Sequence, residues 1–352
     1  MPVDWIVRLL VLILPLPALA QGFAELGTDA DGYAEVREGV PLSFPRDHGP
    51  HPDFRIEWWY VTANLIDDAG VDYGVQFTLF RQAASPPPQR DGWTSQQFWL
   101  AHAAVTTANS HVAAEKLARG GIGQAGVDAS PFAAWIDHWT LNAIDAEDPG
   151  LRHLRLTASE RHFAYDLTLT TDRDPVLQGK AGYSAKSDRG QASYYYSQPY
   201  FSVDGSIKID GRRVPVSGKA WMDREWSSQP LAPDQSGWDW FSLHFDDGAK
   251  LMAFRLRQDD GSHYLSGNWI EGGESTPLSG DAIRMTPLKQ STVAGRGIPT
   301  SWSLEIPSYD LAIRTEPLNP AAWNDHDIAY WEGPIKATGS HGGVGYLEMT
   351  GY

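Results

Sequence analysis

The amino-acid sequence predicts an all-β protein built from two similar antiparallel β domains in tandem. The first observation is a succession of short runs that alternate apolar and polar residues, each ended by Gly, Pro, Asn or Asp. Many short strands separated by such turns are typical of barrels and sandwiches. The second observation is an aromatic-rich hairpin pattern that occurs once in each half of the chain. A length of 352 residues is sufficient for two such domains.

The composition excludes several classes of function. Lys and Arg number 28 and Asp and Glu 44, so the formal net charge is −16, which disfavours nucleic acids and anionic membrane surfaces as partners. The absence of cysteine excludes disulfides, thiolate metal sites and cysteine nucleophiles. The sequence contains no P-loop and no G-x-G-x-x-G fingerprint. We therefore expect a protein without a cofactor, whose ligand is neutral or cationic.

The N-terminus carries a candidate export signal. Residues 9–20 (LLVLILPLPALA) form a short apolar run that ends in the small-residue pattern Ala-Leu-Ala. This pattern predicts a signal peptide over residues 1–20, cleaved before Gln21, and the alternative is an uncleaved anchor. No later segment is apolar enough to cross a membrane. The sequence therefore predicts a periplasmic or secreted protein that is not an integral membrane protein once processed.

The elements between residue 40 and the C-terminus follow from local patterns. Period-two alternation, as in HLRLTAS and YDLTLTT, predicts strands. A single helix is expected over residues 110–119 (SHVAAEKLAR), where Gly120 and Gly121 would end it. The predicted strands include residues 58–65, 73–80, 151–157, 163–170, 206–210, 251–257 and 302–306.

The repeated hairpin indicates the domain organisation. EWWYVTANLIDDAGVDYGVQFTLFRQ begins at Glu57 and WDWFSLHFDDGAKLMAFRLRQ begins at Trp238, and in both an aromatic strand, an Asp-Asp turn and an apolar strand precede Arg-Gln. Trp59 then corresponds to Trp240 on the two opening strands. Residues 227–237 (SSQPLAPDQSG) have the composition of a linker. We therefore expect a first domain over residues 21–228 and a second over residues 229–352.

Two common catalytic arrangements have little support in the sequence. A serine hydrolase of the α/β class would carry a G-x-S-x-G turn, which does not occur. A metal site is a minority alternative, because RDHGPHPDFRIEWW places His48, His51, Asp53 and Glu57 close together. Their spacing matches neither H-E-x-x-H nor a zinc ribbon, so we predict no metal site.

A different chemistry is indicated by residues 219–226, KAWMDREW, and by the three tyrosines Tyr194, Tyr195 and Tyr196. Aromatic walls suit a large apolar ligand, and their ring faces stabilise a developing carbocation. A carboxyl group in such a pocket has its pKa raised by desolvation and stays protonated at neutral pH. Such an acid can protonate an alkene, after which water adds to the cation.

If residues 219–226 form a strand, successive side chains alternate between its two faces. Trp221, Asp223 and Glu225 then share one face, and Arg224 and Trp226 share the other. Arg224 would therefore find its partner elsewhere, for example in the second domain. The alternative is that both carboxyl groups are ion-paired with arginines at the domain junction and have a structural role.

Several longer motifs make the chain resemble the AttH family, which is related to the carotenoid 1,2-hydratases and often labelled "predicted secreted hydrolase". The motifs are FPRDHGPHPDFRIEWWYVTANL from Phe44, AHAAVT from Ala101, AWIDHW from Ala134, AWMDREW from Ala220, and YWEGPI with GVGYLEMTGY at the end. The resemblance covers roughly residues 40–352. It implies a tandem of two lipocalin-like (calycin-type) antiparallel β-barrel domains.

The resemblance also implies site residues. Asp223 falls where the hydratases have their proton-donating aspartate, and Trp221 falls on a position that is aromatic in them. Tyr194 and Tyr196 would replace a His-x-Trp pair that lines the pocket of the hydratases. We expect Asp223 to face a cavity inside the first domain, beside Trp221 and at least one of these two tyrosines. The expected substrate-binding residues are His51, Glu57, Trp59, His102, Glu225 and Trp226.

Three functions are compatible with these features. The first is double-bond hydration or isomerisation of an isoprenoid or lipid-like molecule, with Asp223 as general acid; secreted ester hydrolysis is a variant of it. The second is a carrier that binds the same apolar ligand, in association with an ABC-type export system, as the resemblance implies for some members. The third is a purely structural two-barrel protein, which would have no continuous cavity.

Overall fold

A computed structural model of the chain describes Leu26, Thr28 and residues 30–148 and 150–352. The predicted signal peptide lies outside these residues. Strands account for 60% of the structure, which confirms the all-β prediction. Within the described ranges, the helical segments are 3₁₀ turns at Arg46–His48, Gly92–Thr94, Gly280–Ala282 and Pro307–Tyr309.

The first sheet is antiparallel and has thirteen strands in the part of the chain that is described. Along its main path the order is β4-β3-β2-β1-β13-β12-β9-β8-β7-β6-β5, with β10 and β11 also paired to β12. The sheet curls into a nearly closed barrel. Its strands are β1 (Ile56–Ile66), β2 (Asp72–Ala83), β3 (Gln97–Thr106), β4 (His111–Arg119), β5 (Ala125–Ala129), β6 (Phe132–Ile136), β7 (Trp139–Ala143), β8 (His153–Ser159), β9 (Phe163–Thr170), β10 (Val176–Leu177), β11 (Tyr183–Ala185), β12 (Ala192–Ile209) and β13 (Arg212–Ser227).

The second sheet is also antiparallel and forms a half-barrel of ten described strands. Its order is β17-β16-β15-β14-β23-β22-β20-β19-β18, and β21 pairs with β22. The strands are β14 (Gln235–Phe245), β15 (Lys250–Gln258), β16 (His263–Glu271), β17 (Glu274–Leu278), β18 (Arg284–Val293), β19 (Arg296–Ile306), β20 (Leu311–Pro317), β21 (Trp323–Asn324), β22 (Tyr330–Gly339) and β23 (Gly343–Met349). The connection between the sheets, Ser228 to Asp234, is largely buried, and Pro233 is its exposed residue.

The helix predicted over residues 110–119 is wrong, because His111–Arg119 is strand β4. It pairs with β3 in continuous antiparallel register, from Thr106 opposite His111 to Phe98 opposite Arg119. The alanines that favour a helix contribute only a weak intrinsic preference. The hydrogen-bond ladder with β3 outweighs that preference.

The two hairpins of the repeat occupy equivalent places, but not with the residue correspondence that the sequence predicts. Strands β1 and β14 each pair with the next strand and with the last strand of their own sheet. Trp59 packs inside the first barrel, whereas Trp240 faces the junction between the sheets. The equivalence of Trp59 and Trp240 is therefore wrong by one residue. The better correspondence is Glu57 with Asp239, since each is buried opposite an arginine that it binds on the neighbouring strand.

Candidate active site

A cavity of about 600 Å³ lies between the two sheets. Trp58 and Tyr60 on β1 face it from the first sheet, and Trp240 and Phe254 face it from the second. The prediction that Asp223 faces a cavity inside the first barrel is wrong, because the cavity that it lines has walls from both sheets, and apolar side chains such as Trp139 pack inside the first barrel. The presence of a cavity also contradicts the purely structural alternative, which required none.

Asp223 lies in the wall of this cavity on β13. The alternation expected for this strand is observed, because Met222 points into the first barrel whereas Trp221 belongs to the cluster at the junction. Trp221 is buried beneath Asp223, and its Nε1 donates a hydrogen bond of 2.7 Å to Asp223 Oδ1. Tyr195 Oη donates to Oδ2 at 2.7 Å, and Ser197 Oγ is hydrogen-bonded to Oδ1.

The protonation of Asp223 is governed by its burial. Its side chain is 2% exposed, and no ion pair to it is found among the described residues. Burial raises the pKa of Asp223 to about 7, although the hydrogen bonds from Ser197, Trp221 and Tyr195 act to lower it. The raised pKa allows Asp223 to hold a neutral carboxylic acid in this apolar wall near neutral pH.

Glu225 carries the next carboxyl group on the same face, and a lysine forms an ion pair with it. Its Oε1 lies 2.8 Å from Lys186 Nζ and accepts a hydrogen bond from Ser193 Oγ. Both Glu225 and Lys186 line the cavity. The ion-pair alternative from the sequence thus applies to Glu225, with a lysine in place of an arginine, and does not apply to Asp223.

The opposite face of β13 carries a separate, structural cluster of charges. Arg224 is fully buried and pairs with Glu57 of β1, which also pairs with Arg81 of β2. The partner of Arg224 therefore comes from the first sheet, and the expectation of a partner in the second domain is wrong. Burial alone would raise the pKa of Glu57, but the two guanidinium groups outweigh that effect and hold the pKa below its ordinary value.

His51 and Trp226 complete this cluster away from the cavity. Their rings stack at 4.1 Å, and the His51 backbone N–H donates to Glu57 Oε1 at 2.9 Å. Trp59 packs under the Arg224 guanidinium at 3.9 Å. The expectation that His51, Glu57, Trp59 and Trp226 bind substrate is therefore not met, because these side chains stabilise the N-terminal end of β1.

The tyrosine of β12 that reaches Asp223 is Tyr195, which lies between the two tyrosines that the sequence analysis selected. Opposed residues of an antiparallel pair share a face, and Tyr195 stands opposite Glu225. Tyr194 and Tyr196 stand opposite Trp226 and Arg224, so both face away from the cavity. The placement of Tyr194 and Tyr196 beside Asp223 is therefore wrong by one position.

His102 lines the cavity on β3, and its role in substrate binding stays a prediction. Its Nδ1 lies 2.9 Å from Tyr330 Oη, and its Nε2 lies 3.0 Å from Glu115 Oε2. The ring of His326 lies 4.3 Å away. Burial lowers the pKa of His102, although Glu115 acts to raise it, so the imidazole is neutral at pH 7.

The second sheet contributes two acids that sequence analysis did not select, the half-buried Glu348 and the buried Glu332. Glu348 on β23 lines the cavity, and its Oε1 accepts a hydrogen bond of 2.5 Å from Trp238 Nε1. Burial raises the pKa of Glu348 to about 7. Glu332 stands directly opposite Glu348 on β22, is 1% exposed, and accepts a hydrogen bond from Tyr60 Oη. Glu332 lies in the motif YWEGPI and Glu348 in the motif GYLEM. Their position next to aromatic residues is a sequence signal that could have identified them as candidate site residues.

Of the residues considered as metal ligands, His48, His51 and Glu57 have other partners. His48 Nδ1 lies 2.7 Å from Tyr196 Oη, and His51 and Glu57 belong to the charge cluster described above. Within residues 30–148 and 150–352, no group of three or more His, Asp or Glu side chains is arranged to hold a metal ion. The same part of the chain contains no helix long and apolar enough to span a membrane.

Comparison with known proteins places the chain in a family. A Nitrosomonas europaea protein assigned to AttH is 33% identical, with a TM-score of 0.79 over 91% of this chain and 99% of that chain. Kievitone hydratase from Nectria haematococca shares the fold, at 16% identity and a TM-score of 0.65 over 91% of this chain and 96% of that chain.

Among curated proteins, the dehydratase asqC from Emericella nidulans is 21% identical over 182 residues, which are 46% of this chain and 48% of that protein. The chain thus spans about half the length of this relative. The family model described as AttH-like matches residues 35–352. The resemblance seen in the sequence motifs is therefore confirmed, and the chain belongs to the AttH-like family.

Proposed function

We propose that this protein is a hydratase or dehydratase that acts on a small apolar molecule in the cavity between the sheets, with Asp223 as general acid. The observation that carries the proposal is the carboxyl group of Asp223, which has three neutral hydrogen-bond partners and a pKa raised by burial to about 7. An acid of this kind can donate a proton at neutral pH. A purely structural carboxylate would be paired with a cation, as Glu225 is.

The chemistry follows from the surroundings of this acid. The Asp223 O–H bond breaks, and its proton adds to one carbon of an alkene, which leaves a cation on the other carbon. Aromatic faces such as those of Trp240 and Phe254 line the cavity and would stabilise that cation. Water then adds, and its surplus proton passes to a carboxylate, either Asp223 or Glu348. Dehydration is the same sequence in reverse.

The relatives support the same class of reaction. One curated relative is named a dehydratase, and one protein of the same fold is named a hydratase. A cavity of about 600 Å³ lies in the range of pockets that enclose drug-sized ligands. An isoprenoid or lipid-like substrate, a periplasmic or secreted location and a partnership with an ABC-type exporter remain part of the proposal.

A carrier would use the same cavity without chemistry. Asp223 distinguishes the enzyme from the carrier. Burial opposes ionisation of this acid, and binding and transport of an apolar ligand gain nothing from such a group. Release of an intact ligand after denaturation, with no turnover of any alkene, would favour the carrier.

The test is incubation of the protein with a panel of isoprenoid alkenes and the matching tertiary alcohols in water enriched in ¹⁸O. We expect alcohol products that contain ¹⁸O, detected by mass spectrometry. Asp223→Asn should abolish this incorporation. Asp204→Asn, an exposed aspartate on β12, is the matched control and should retain it. Equal incorporation by wild type and Asp223→Asn would exclude Asp223 as the acid.

A further inference from the structure

The wall of the cavity contains a buried ion pair. Among the described residues, the lysine and arginine side chains that line the cavity are Arg119, which is exposed to solvent, and Lys186, which is 7% exposed. Lys186 Nζ lies 2.8 Å from Glu225 Oε1, and both side chains line the cavity. The pair is therefore part of the surface that a bound molecule meets.

Contacts from both sheets fix the position of Lys186. Its backbone N–H donates a hydrogen bond of 2.8 Å to Gln191 O. Its carbonyl oxygen accepts a hydrogen bond of 2.8 Å from Gln235 Nε2, on the first strand of the second sheet. The ammonium lies 5.1 Å from the centre of the Tyr195 ring and 4.4 Å from the centre of the Phe254 ring. The cation is thus held in place before a ligand arrives, which reduces the entropy lost on binding.

The ammonium has more hydrogen-bond donors than the protein uses. A lysine side chain carries several N–H donors and no acceptor. Among the described residues, the oxygen partner of Lys186 Nζ is Glu225, and its other close contacts are the two ring faces. The pair on the opposite face of β13 differs, because Arg224 also donates to the backbone oxygens of Gly49 and Glu225. Lys186 therefore keeps donors for an acceptor in the cavity.

We propose that Lys186 anchors a neutral oxygen atom of the ligand, a carbonyl or hydroxyl group, and so selects apolar substrates that carry such a group. Because Lys186 and Glu225 together have no net charge, the pair suits a neutral acceptor better than a carboxylate. A hydrocarbon that filled the cavity would cover the ammonium donors without replacing their hydrogen bonds to water, which costs binding free energy. A site built to hydrogen-bond a substrate group rejects analogues that lack the group.

The anchor also determines where the ligand can react. Glu225 and Asp223 are two residues apart on one face of β13, which separates them by about 6.5 Å along the strand. The Tyr195 ring that contacts the ammonium carries the hydroxyl that donates to Asp223. The double bond that receives the proton should therefore lie a comparable distance from the anchored oxygen, several bonds away along the ligand.

The inference deepens the proposed function and rests on it for the reaction, because the anchored molecule is the substrate that Asp223 would protonate. Lys186 contacts the ligand and determines specificity. Glu225 acts through Lys186, whose charge it balances and whose position it fixes, and is a positioning residue.

The test measures binding without turnover. Its probes are geranylacetone, the hydrocarbon in which a CH₂ group replaces the carbonyl, and the carboxylic acid in which a carboxylate replaces the acetyl group. Dissociation constants are obtained from displacement of N-phenyl-1-naphthylamine, a neutral dye that fluoresces in apolar pockets. Lys186→Met combined with Glu225→Gln removes both charges, so no unpaired ion stays buried. In this double variant we expect the preference for the ketone over the hydrocarbon to fall roughly ten- to a hundredfold, the range expected for a hydrogen bond to a charged group.

Glu225→Gln alone keeps the cation and removes its partner. We expect this variant to bind the carboxylate roughly tenfold or more tightly than wild type does, and it keeps the test valid if the double variant does not fold. Lys116→Met is the matched control, since Lys116 also forms ion pairs and lies over an aromatic ring but does not line the cavity. It should keep the wild-type preference for the ketone.

The anchor is wrong if the folded double variant retains the wild-type preference, or if Glu225→Gln binds the carboxylate no better than wild type does. These outcomes are distinguishable from failure of the proposed function. A shifted preference without incorporation of ¹⁸O would retain the anchor and exclude the reaction, whereas incorporation with an unshifted preference would exclude the anchor alone.

Discussion

Replacing Asp223 by Asn tests the central feature of the site through stability as well as activity. The change keeps the shape of the side chain: Oδ1 can still accept from Trp221 Nε1 and Ser197 Oγ, and the new amide can donate to Tyr195 Oη. It removes the acidic proton. We therefore expect the variant to fold, bind ligand and lose activity by a factor of a hundred or more.

The magnitude for stability follows from the pKa of Asp223. Burial raises it from 3.8 to about 7, roughly three pKa units, or about 4 kcal/mol at 1.36 kcal/mol per unit. Because the folded pKa is the higher one, the folded state binds more protons than the unfolded state between pH 4 and pH 7. This contribution to stability is therefore present below pH 4 and is lost as the pH rises through 7.

The assay is urea unfolding of both proteins between pH 4.5 and pH 7.5, followed by tryptophan fluorescence. Glu348 and Glu332 also titrate, so we compare the free energies of unfolding of wild type and variant at each pH. Their difference reports the titration of Asp223. We expect the free energy of unfolding of wild type to fall relative to Asp223→Asn as pH rises, by a few kcal/mol across the range. Parallel pH profiles would refute the argument, since Asp223 would then have the same pKa in both states.

Arg224→Met should lower the free energy of unfolding by roughly 3–5 kcal/mol in the same urea assay, because Glu57 would lose one of its two buried cations; a loss under about 1 kcal/mol would show that the pair is not needed. Tyr195→Phe removes a hydrogen-bond donor to Asp223 and should raise the pKa of Asp223 further, which an infrared titration of the carboxyl band would show. Tyr194→Phe should leave the pKa of Asp223 unchanged. The opposite result would favour the prediction from sequence that Tyr194 lies beside Asp223. We propose that the protein is exported and that its mature form begins at or near Gln21, and N-terminal sequencing that returns Met1 would contradict this.

Local patterns were a good guide to the strands and a poor guide to the one predicted helix. Alternation along residues 219–226 correctly separated Asp223 from Arg224, because side-chain direction in a strand depends only on position parity. The segment His111–Arg119 has helical composition, but its conformation is decided by pairing with β3. A partner strand is not visible in the segment itself.

Selection of Tyr194 and Tyr196 failed for a related reason. Parity within β12 is clear from the sequence, but which parity faces Asp223 depends on the register between β12 and β13. A shift of one residue exchanges every side chain between the two faces. The equivalence of Trp59 and Trp240 failed in the same way.

The sequence by itself determined the all-β class, the AttH-like family, the alternation that frees Asp223 from its neighbouring arginine, and the aromatic character of the site. Only the tertiary structure decided that the cavity lies between the sheets, that Tyr195 reaches Asp223, and that Glu348 belongs to the same wall. The physical reason is the separation along the chain over which each kind of interaction acts. Alternation and composition act over a few residues, whereas desolvation of Asp223 requires the second sheet to cover it, and contacts between segments more than a hundred residues apart leave no local pattern.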